Sequence, residues 1–414
     1  MPQIPRKVRD ALLEFHRIAA AVPLWPGFQP ERTPLVLHGP EVAYLVGHPA
    51  PPDDYAQLEP VLGRTVHAGP RHPEMTANTS AEICGVLSAL AELPGESEEP
   101  DRYARLLLHE CFHVFQTEGL GALPRPDVRY MTFYPENDPV NNALAVVENR
   151  LLAAALAGDC RAPAAFLAVR GHRQERLDEG VRVYEVRQEY NEGTPTYIEM
   201  RAGMNLADLT GRLSECSIGG KWAGNRRFYY TGAAIALLLD RLAPGWHQSF
   251  AHGQGSLQAR LAEVAGPLPP AADVLAQIGY TEIAAEERQR EVERGLRIEG
   301  LLSALNTDGE GCRVEFAIDR APWCGWDPTN VMVVRPGLRL HLRFFAAYGP
   351  QIRIQYEGLC LEDRERQVAI VRLPAPPRVT SDSPFQFEGK GLHGEAPAGR
   401  LERDEQGWRI QIFD

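Results

Sequence analysis

Arg105-Leu106-Leu107-Leu108-His109-Glu110-Cys111-Phe112-His113-Val114-Phe115-Gln116 is the stretch from which the rest of the chain is read. It holds the pattern H-E-x-x-H inside an apolar, helix-forming run. Residues four apart stand one above the other on a helix face, so His109 and His113 can reach one metal ion. Glu110 is one step round the helix, beside that ion, where it can take a proton from a water. Pro100 and Asp101 supply a helix start and Gly119 a stop. Leu106, Leu107, Leu108, Phe112 and Phe115 give the helix an apolar surface to bury. Two histidines and a glutamate on so apolar a helix are costly to bury without a purpose, so the pattern predicts a metal site. Cys111 points away from the His109/His113 face and reads as packing.

A catalytic zinc ion takes three protein ligands and leaves one position open. The best source of a third ligand is Gln188-Glu189-Tyr190-Asn191-Glu192-Gly193-Thr194-Pro195-Thr196-Tyr197-Ile198-Glu199. Glu189 and Glu192 are three apart, so both can face the metal helix. Taken together, H-E-x-x-H and N-E-G-x-x-x-Y-x-E resemble the gluzincin metallopeptidases, in particular their alanyl-aminopeptidase-like branch. The resemblance implies Glu192, in preference to Glu189, as the third Zn²⁺ ligand, and the family's following Tyr and Glu fall on Tyr197 and Glu199. A Y-x-x-G turn of that family is matched by Tyr229-Tyr230-Thr231-Gly232. It implies that Tyr229 stabilises the oxyanion, with the adjacent Tyr230 as the alternative.

Two features depart from the family pattern. His113 and Glu192 lie 79 positions apart, which implies a large helical insertion. No G-x-M-E-N segment is present to hold a substrate's free amino terminus, and the nearest substitute, Met75-Thr76-Ala77-Asn78-Thr79-Ser80, lacks the acidic residue. The resemblance spans residues 75–250 through three short motifs. It implies zinc-dependent hydrolysis of peptide bonds: one Zn²⁺ per chain held by His109, His113 and Glu192, with Glu110 and Tyr229 catalytic. The substrate would be a peptide or protein. The alternative is a non-proteolytic zinc-binding scaffold of the same fold that binds a partner through a β-domain.

Composition sets the frame for this reading. The chain has 414 residues, 44% hydrophobic and 24% charged, an ordinary globular balance with room for two or three domains. The net charge of −12 and the lack of a basic patch argue against a nucleic-acid partner. The apolar runs Leu151–Ala157 and Ala233–Leu239 are far short of the ~20 residues that cross a bilayer, so no membrane partner is expected. Seven cysteines without a C-x-x-C argue for a reducing, cytoplasmic location.

The expected fold class is α+β: a mostly helical zincin-type domain with a small N-terminal β element, then a C-terminal all-β, sandwich-like domain. Residues 1–78 should hold an amphipathic helix over 5–22 and a hairpin over 34–47, packed on a helical domain at 79–305. Within the latter, helices are expected over Ser80–Leu93, Asn141–Ala157, Ala164–Glu189, Ala233–Leu242 and through 256–300. The glycine-rich stretch 203–227 reads as a loop whose Lys221, Arg226 and Arg227 could greet an acidic group. His48, His67 and His72 have no ligand spacing; His247 and His252 are candidates for an oxyanion role outside the catalytic set. From 311 to 414 the period becomes two, with strands expected at Cys312–Ile318, Asn330–Val334, Leu338–Phe344, Gln351–Tyr356, Gln367–Leu373, Phe385–Glu388 and Trp408–Phe413.

Overall fold

In a computed structural model the central apolar run is a helix, Pro100–Glu118, with Pro100 in its first turn and Gly119 as its cap. The structure describes all residues except 1–3, 22, 73–74, 76, 121–124, 132, 216–225, 251–255, 307–310, 322, 325–329, 336, 350–351, 406 and 414. The chain is α+β, as its patterning predicts, with strands at the N-terminal end and an all-β C-terminal region. It divides into two compact units. One comprises 1–128, 144–216 and 225–279; the other comprises 129–143, 217–224 and 280–414.

The first unit begins with α1 (Arg6–Ala21), which buries Val8, Ala11, Leu12, Phe15 and Ile18 at helical spacing. The expected hairpin is part of a six-stranded sheet: β1 (Leu35–His38), β2 (Val42–Val46), β3 (Ala56–Gln57), β4 (Val66–Pro70), β5 (Thr79–Ile83) and β6 (Val86–Glu92). Their order is β3-β4-β2-β1-β6-β5, with β6 parallel to β1. Here the helix expected over Ser80–Leu93 is overturned. Its Ala, Leu and Glu residues favour a helix, but Cys84 and Gly85 adopt φ of 50° and 76°, which closes a two-residue hairpin turn. Pairing with β1 then outweighs local propensity. On one sheet face Val36, Ala43, Leu45, Ile83 and Leu90 form a core with Met75. The helix Pro100–Glu118 (α2) packs against β5, β6 and α1. No separate N-terminal domain ends at residue 78, because strands from both sides of that position share one sheet.

The helices that follow are α3 (Pro139–Leu156), α4 (Ala162–Gln174), α5 (Glu179–Asn191), α6 (Gly193–Arg201), α7 (Leu206–Glu215), α8 (Arg226–Leu242), α9 (Leu257–Val264) and α10 (Ala271–Gln277). The single helix expected over Ala164–Glu189 is two, because Asp178 leaves the helical region as the N-cap of α5 (ψ 149°). The expected loop at 203–227 contains α7, an amphipathic turn that buries Leu209 and Leu213. α8 starts seven residues before the expected Ala233, with Arg227 and Phe228 already buried.

In the second unit, α11 (Tyr280–Asn306) precedes the β-sandwich. This corrects the boundary at 305: Ile298, Leu301, Leu302 and Leu305 lie at i, i+3, i+4 and i+7, and they pack on Leu340, Leu361 and Ile370 of the sheet. One sheet contains β7 (Cys312–Ala317), β9 (Val331–Arg335), β10 (Leu338–His341), β13 (Cys360–Asp363), β14 (Val368–Leu373), β18 (Ala398–Asp404) and β19 (Gly407–Phe413). Its order is β18-β19-β7-β14-β13-β10-β9. The other contains β8 (Trp323–Cys324), β11 (Phe344–Tyr348), β12 (Arg353–Glu357), β15 (Arg378–Asp382), β16 (Phe385–Gly389) and β17 (Leu392–Ala396), ordered β15-β16-β17-β12-β11-β8. Val314, Phe316 and Val371 of the first meet Phe345, Ile354, Phe385 and Leu392 of the second. The strand expected over Leu338–Phe344 is split between the sheets as β10 and β11. The buried Asn330 amide holds the corner, accepting from the Arg343 N–H and donating to the Phe344 carbonyl.

Candidate metal centre

α2 carries His109, Glu110 and His113 into the interior of the first unit. Trp25 and Phe28, just after α1, brace the far side of this helix. Their rings each lie 5.1 Å from that of Phe112. The junction of α5 and α6 brings Glu192 up to the two imidazoles. Its Oε2 is 3.6 Å from His109 Nε2 and 3.4 Å from His113 Nε2. The ligand atoms of His109, His113 and Glu192 all lie within 4.8 Å of one another, so one metal ion could be held by all three.

The other side of each imidazole is taken up, which fixes the rings. His109 Nδ1 is 2.6 Å from Glu199 Oε1. His113 Nδ1 is 2.9 Å from Gln116 Oε1. The Gln116 amide is oriented by its own contacts: Nε2 donates to the Tyr190 and Asn191 carbonyls and to Thr194 Oγ1, so Oε1 must face His113. Both rings therefore donate from Nδ1 and keep the Nε2 lone pair for a ligand position, the arrangement that outer carboxylates and amides impose on metal-binding histidines. Sequence reading placed Glu199 on the family pattern but gave Gln116 no role. The missed signal is its spacing, three residues after His113 on the same helix face.

The electrostatics suit a cation. Burial opposes charge on His109, but Glu192 and Glu199 outweigh it and raise its pKa well above the ordinary imidazole value. Burial would raise the Glu192 pKa, yet His113 and His109 hold it well below the carboxylate range. Without a metal, His109 carries the positive charge that Glu192 and Glu199 demand. Glu110 differs from both: burial raises its pKa, and its Oε2 is buried without a hydrogen-bond partner. The Tyr229 ring stacks on His109 at 6.0 Å, and its hydroxyl lies near the Glu192 carboxylate. Burial and Glu192 raise its pKa far above 10.0, which keeps the phenol a proton-bearing donor.

The sequence alternatives separate clearly. Glu189 is turned away from the histidines: its carboxylate takes Arg170 Nη1 at 2.8 Å and Thr231 Oγ1 at 2.5 Å. Tyr230 faces Arg212, whose Nη1 donates to its hydroxyl at 2.9 Å. Arg227 is no substrate-greeting loop residue, because it is buried against Glu148 and Asn149. His247 sits in an aromatic block, 3.1 Å from the Tyr197 hydroxyl and edge-on to Trp25. His48 is satisfied by the Ile83 carbonyl and the Ala50 N–H. Cys111 is buried, and burial pushes its thiol up to about 12, consistent with packing. Lys221, His252 and Thr76 lie outside the described residues.

Two glycines let Glu192 and Tyr229 meet. Gly193 and Gly232 face each other where α6 crosses α8. A Cβ on Gly193 would sit 2.5 Å from the Gly232 Cα, and one on Gly232 would strike the Glu189 carbonyl. The helices thus touch backbone to backbone, one residue after Glu192 and one turn after Tyr229. No family model, curated protein or solved structure matches the chain.

Proposed function

We propose that the chain is a zinc-dependent metallopeptidase of gluzincin type that hydrolyses peptide bonds. The observation that carries the proposal is the convergence of His109, His113 and Glu192 around one point, with the unpartnered Glu110 carboxylate oxygen beside them. Two neutral imidazole nitrogens and one carboxylate oxygen are a donor set that suits Zn²⁺ and leaves a position open. A bound zinc ion would polarise a carbonyl and lower the pKa of a water.

The remaining chemistry belongs to the side chains. Glu110, with its pKa raised by burial, accepts the proton of the attacking water and passes it to the leaving amine. Tyr229 donates its hydroxyl to the oxygen on which charge develops, a contact stronger in the transition state than in the ground state. Glu199 and Gln116 keep both Nδ1 atoms protonated and so hold the ring orientation through turnover. His109, His113, Glu192, Glu110, Tyr229, Glu199 and Gln116 belong to one unit, which favours a catalytic reading over a scaffold that needs only the metal ligands.

A cytoplasmic location is part of the proposal, supported by the free thiols of Cys84, Cys111, Cys160 and Cys312. Among the described residues no helix is long and apolar enough to cross a membrane. Replacement of Glu192 by Ala tests the centre directly. The proposal expects Zn²⁺ affinity to fall by orders of magnitude, read by chelator competition; unchanged zinc content would remove Glu192 from the ligand set.

A further inference from the structure

We infer that Glu189 is a positioning residue for the metal centre, the outermost member of a buried charge network that fixes where Glu192 and Tyr229 stand. The inference rests on the metal reading above. Its starting observation is six charged side chains at 0–2% exposure inside the first unit: Glu148, Arg170, Arg173, Glu185, Glu189 and Arg227. Glu148 of α3 is the hub, accepting from Arg170 Nε at 3.0 Å, Arg173 Nε at 2.5 Å and Arg227 Nη2 at 2.5 Å. Arg173 continues to Glu185 at 2.7 Å, and Arg170 to Glu189 at 2.8 Å. Three cations and three anions balance, which is the condition for burying them at all.

The network reaches the centre at one residue. Glu189 clasps α4 through Arg170 and α8 through Thr231. Its own carbonyl is the first atom that a Cβ added at Gly232 would strike. By side chain and main chain alike, Glu189 fastens α5 to α8. The ligand Glu192 follows three residues on, at the junction of α5 and α6, and Tyr229 is two residues before Thr231. Hydrogen-bonded charges of this kind have directional geometry that apolar packing lacks. The clasp therefore sets the separation between the metal ligand and the phenol, and a loose clasp spoils the ligand geometry before it unfolds the chain. Outer-shell contacts of metal sites commonly carry 10–100-fold in affinity when removed.

The experiment uses the full chain stripped of metal and titrated with Co²⁺ alone, whose visible absorption reports ligand number and geometry. Wild type, Glu189→Gln and Thr231→Val are compared with Leu45→Ala, a core truncation in the N-terminal sheet that lowers stability away from the network. Thr231→Val breaks one arm of the clasp and leaves the Arg170 ion pair intact, so it reports even where Glu189→Gln does not fold. Both clasp variants should bind Co²⁺ about tenfold or more weakly, with altered visible bands, while folded by circular dichroism. Leu45→Ala should melt lower with wild-type affinity and bands. Wild-type Co²⁺ affinity and spectrum in the folded clasp variants would overturn the inference and leave Glu189 purely structural. Failure of the wild type to take up Co²⁺ would instead overturn the metal reading on which it rests.

Discussion

Glu110 is buried near the His109 and His113 imidazoles with an oxygen that nothing in the described fold satisfies. A general base of this kind typically contributes 10²–10⁴-fold to a proton transfer. We therefore expect Glu110→Gln to lose about that factor in turnover while keeping stoichiometric zinc. Tyr229→Phe removes only the hydroxyl that would meet the oxyanion. It should lower kcat by about 10²-fold with little change in KM. Tyr230→Phe breaks the Arg212 contact and should leave kcat within about twofold, because that hydroxyl is turned away from His109 and Glu192. The His109–Glu110–His113 group was legible in the sequence because one helical turn fixes its geometry. Glu192 was separable from Glu189 only through a family register, since both lie on one helix face. What decides between them physically is Arg170, which claims Glu189 from another helix and has no local signature near either residue.

At the level of elements, the centre depends on helix crossings. A methyl added at Gly193 must push α6 off α8, so Gly193→Ala should destabilise the fold by about 1–3 kcal/mol and weaken zinc binding in the same variant. Urea unfolding alongside zinc titration checks both parts; a stable variant with wild-type affinity would show that the crossing has slack. Protons compete with metal at the same crossing. The raised pKa of His109 favours the metal-free fold below the ordinary imidazole value, and this contribution is lost as pH rises through the raised value. Zinc requires the neutral ring, so its stabilisation should grow in the opposite direction. The gap in Tm between zinc-loaded and chelated protein should widen from about pH 6 to 9. A constant gap would mean that His109 is not a ligand. The elements were unevenly readable: α2, bounded by Pro100 and Gly119, was plain, whereas β5 and β6 were hidden behind helix-forming Ala and Leu until a hairpin turn and a parallel partner were known. Glu148 shows a signal passed over, a lone acid on the apolar face of α3 between Leu144 and Leu152, which is the mark of a buried partner.

On the scale of the whole molecule, the proposed ligands and catalytic groups fall within one unit and the β-sandwich forms its own. The period-two pattern beyond residue 311 announced the sandwich. The assignment of α11 to it did not follow from sequence, because the apolar stripe Ile298–Leu305 does not say which surface it covers. Leu305 is buried against that sheet, so Leu305→Ala should destabilise the second unit by about 2–5 kcal/mol and leave zinc stoichiometry intact. Loss of zinc in that variant would tie the centre to the sandwich. The most direct measurement of the central claim is cleavage of a mixed peptide library by the zinc-loaded protein beside its Glu110→Gln variant, with products read by mass spectrometry and zinc measured in both. The account predicts cleavage by the wild type alone, with equal zinc in the two proteins. Zinc in both and cleavage by neither would contradict it, and would leave a metal-binding scaffold in place of a peptidase.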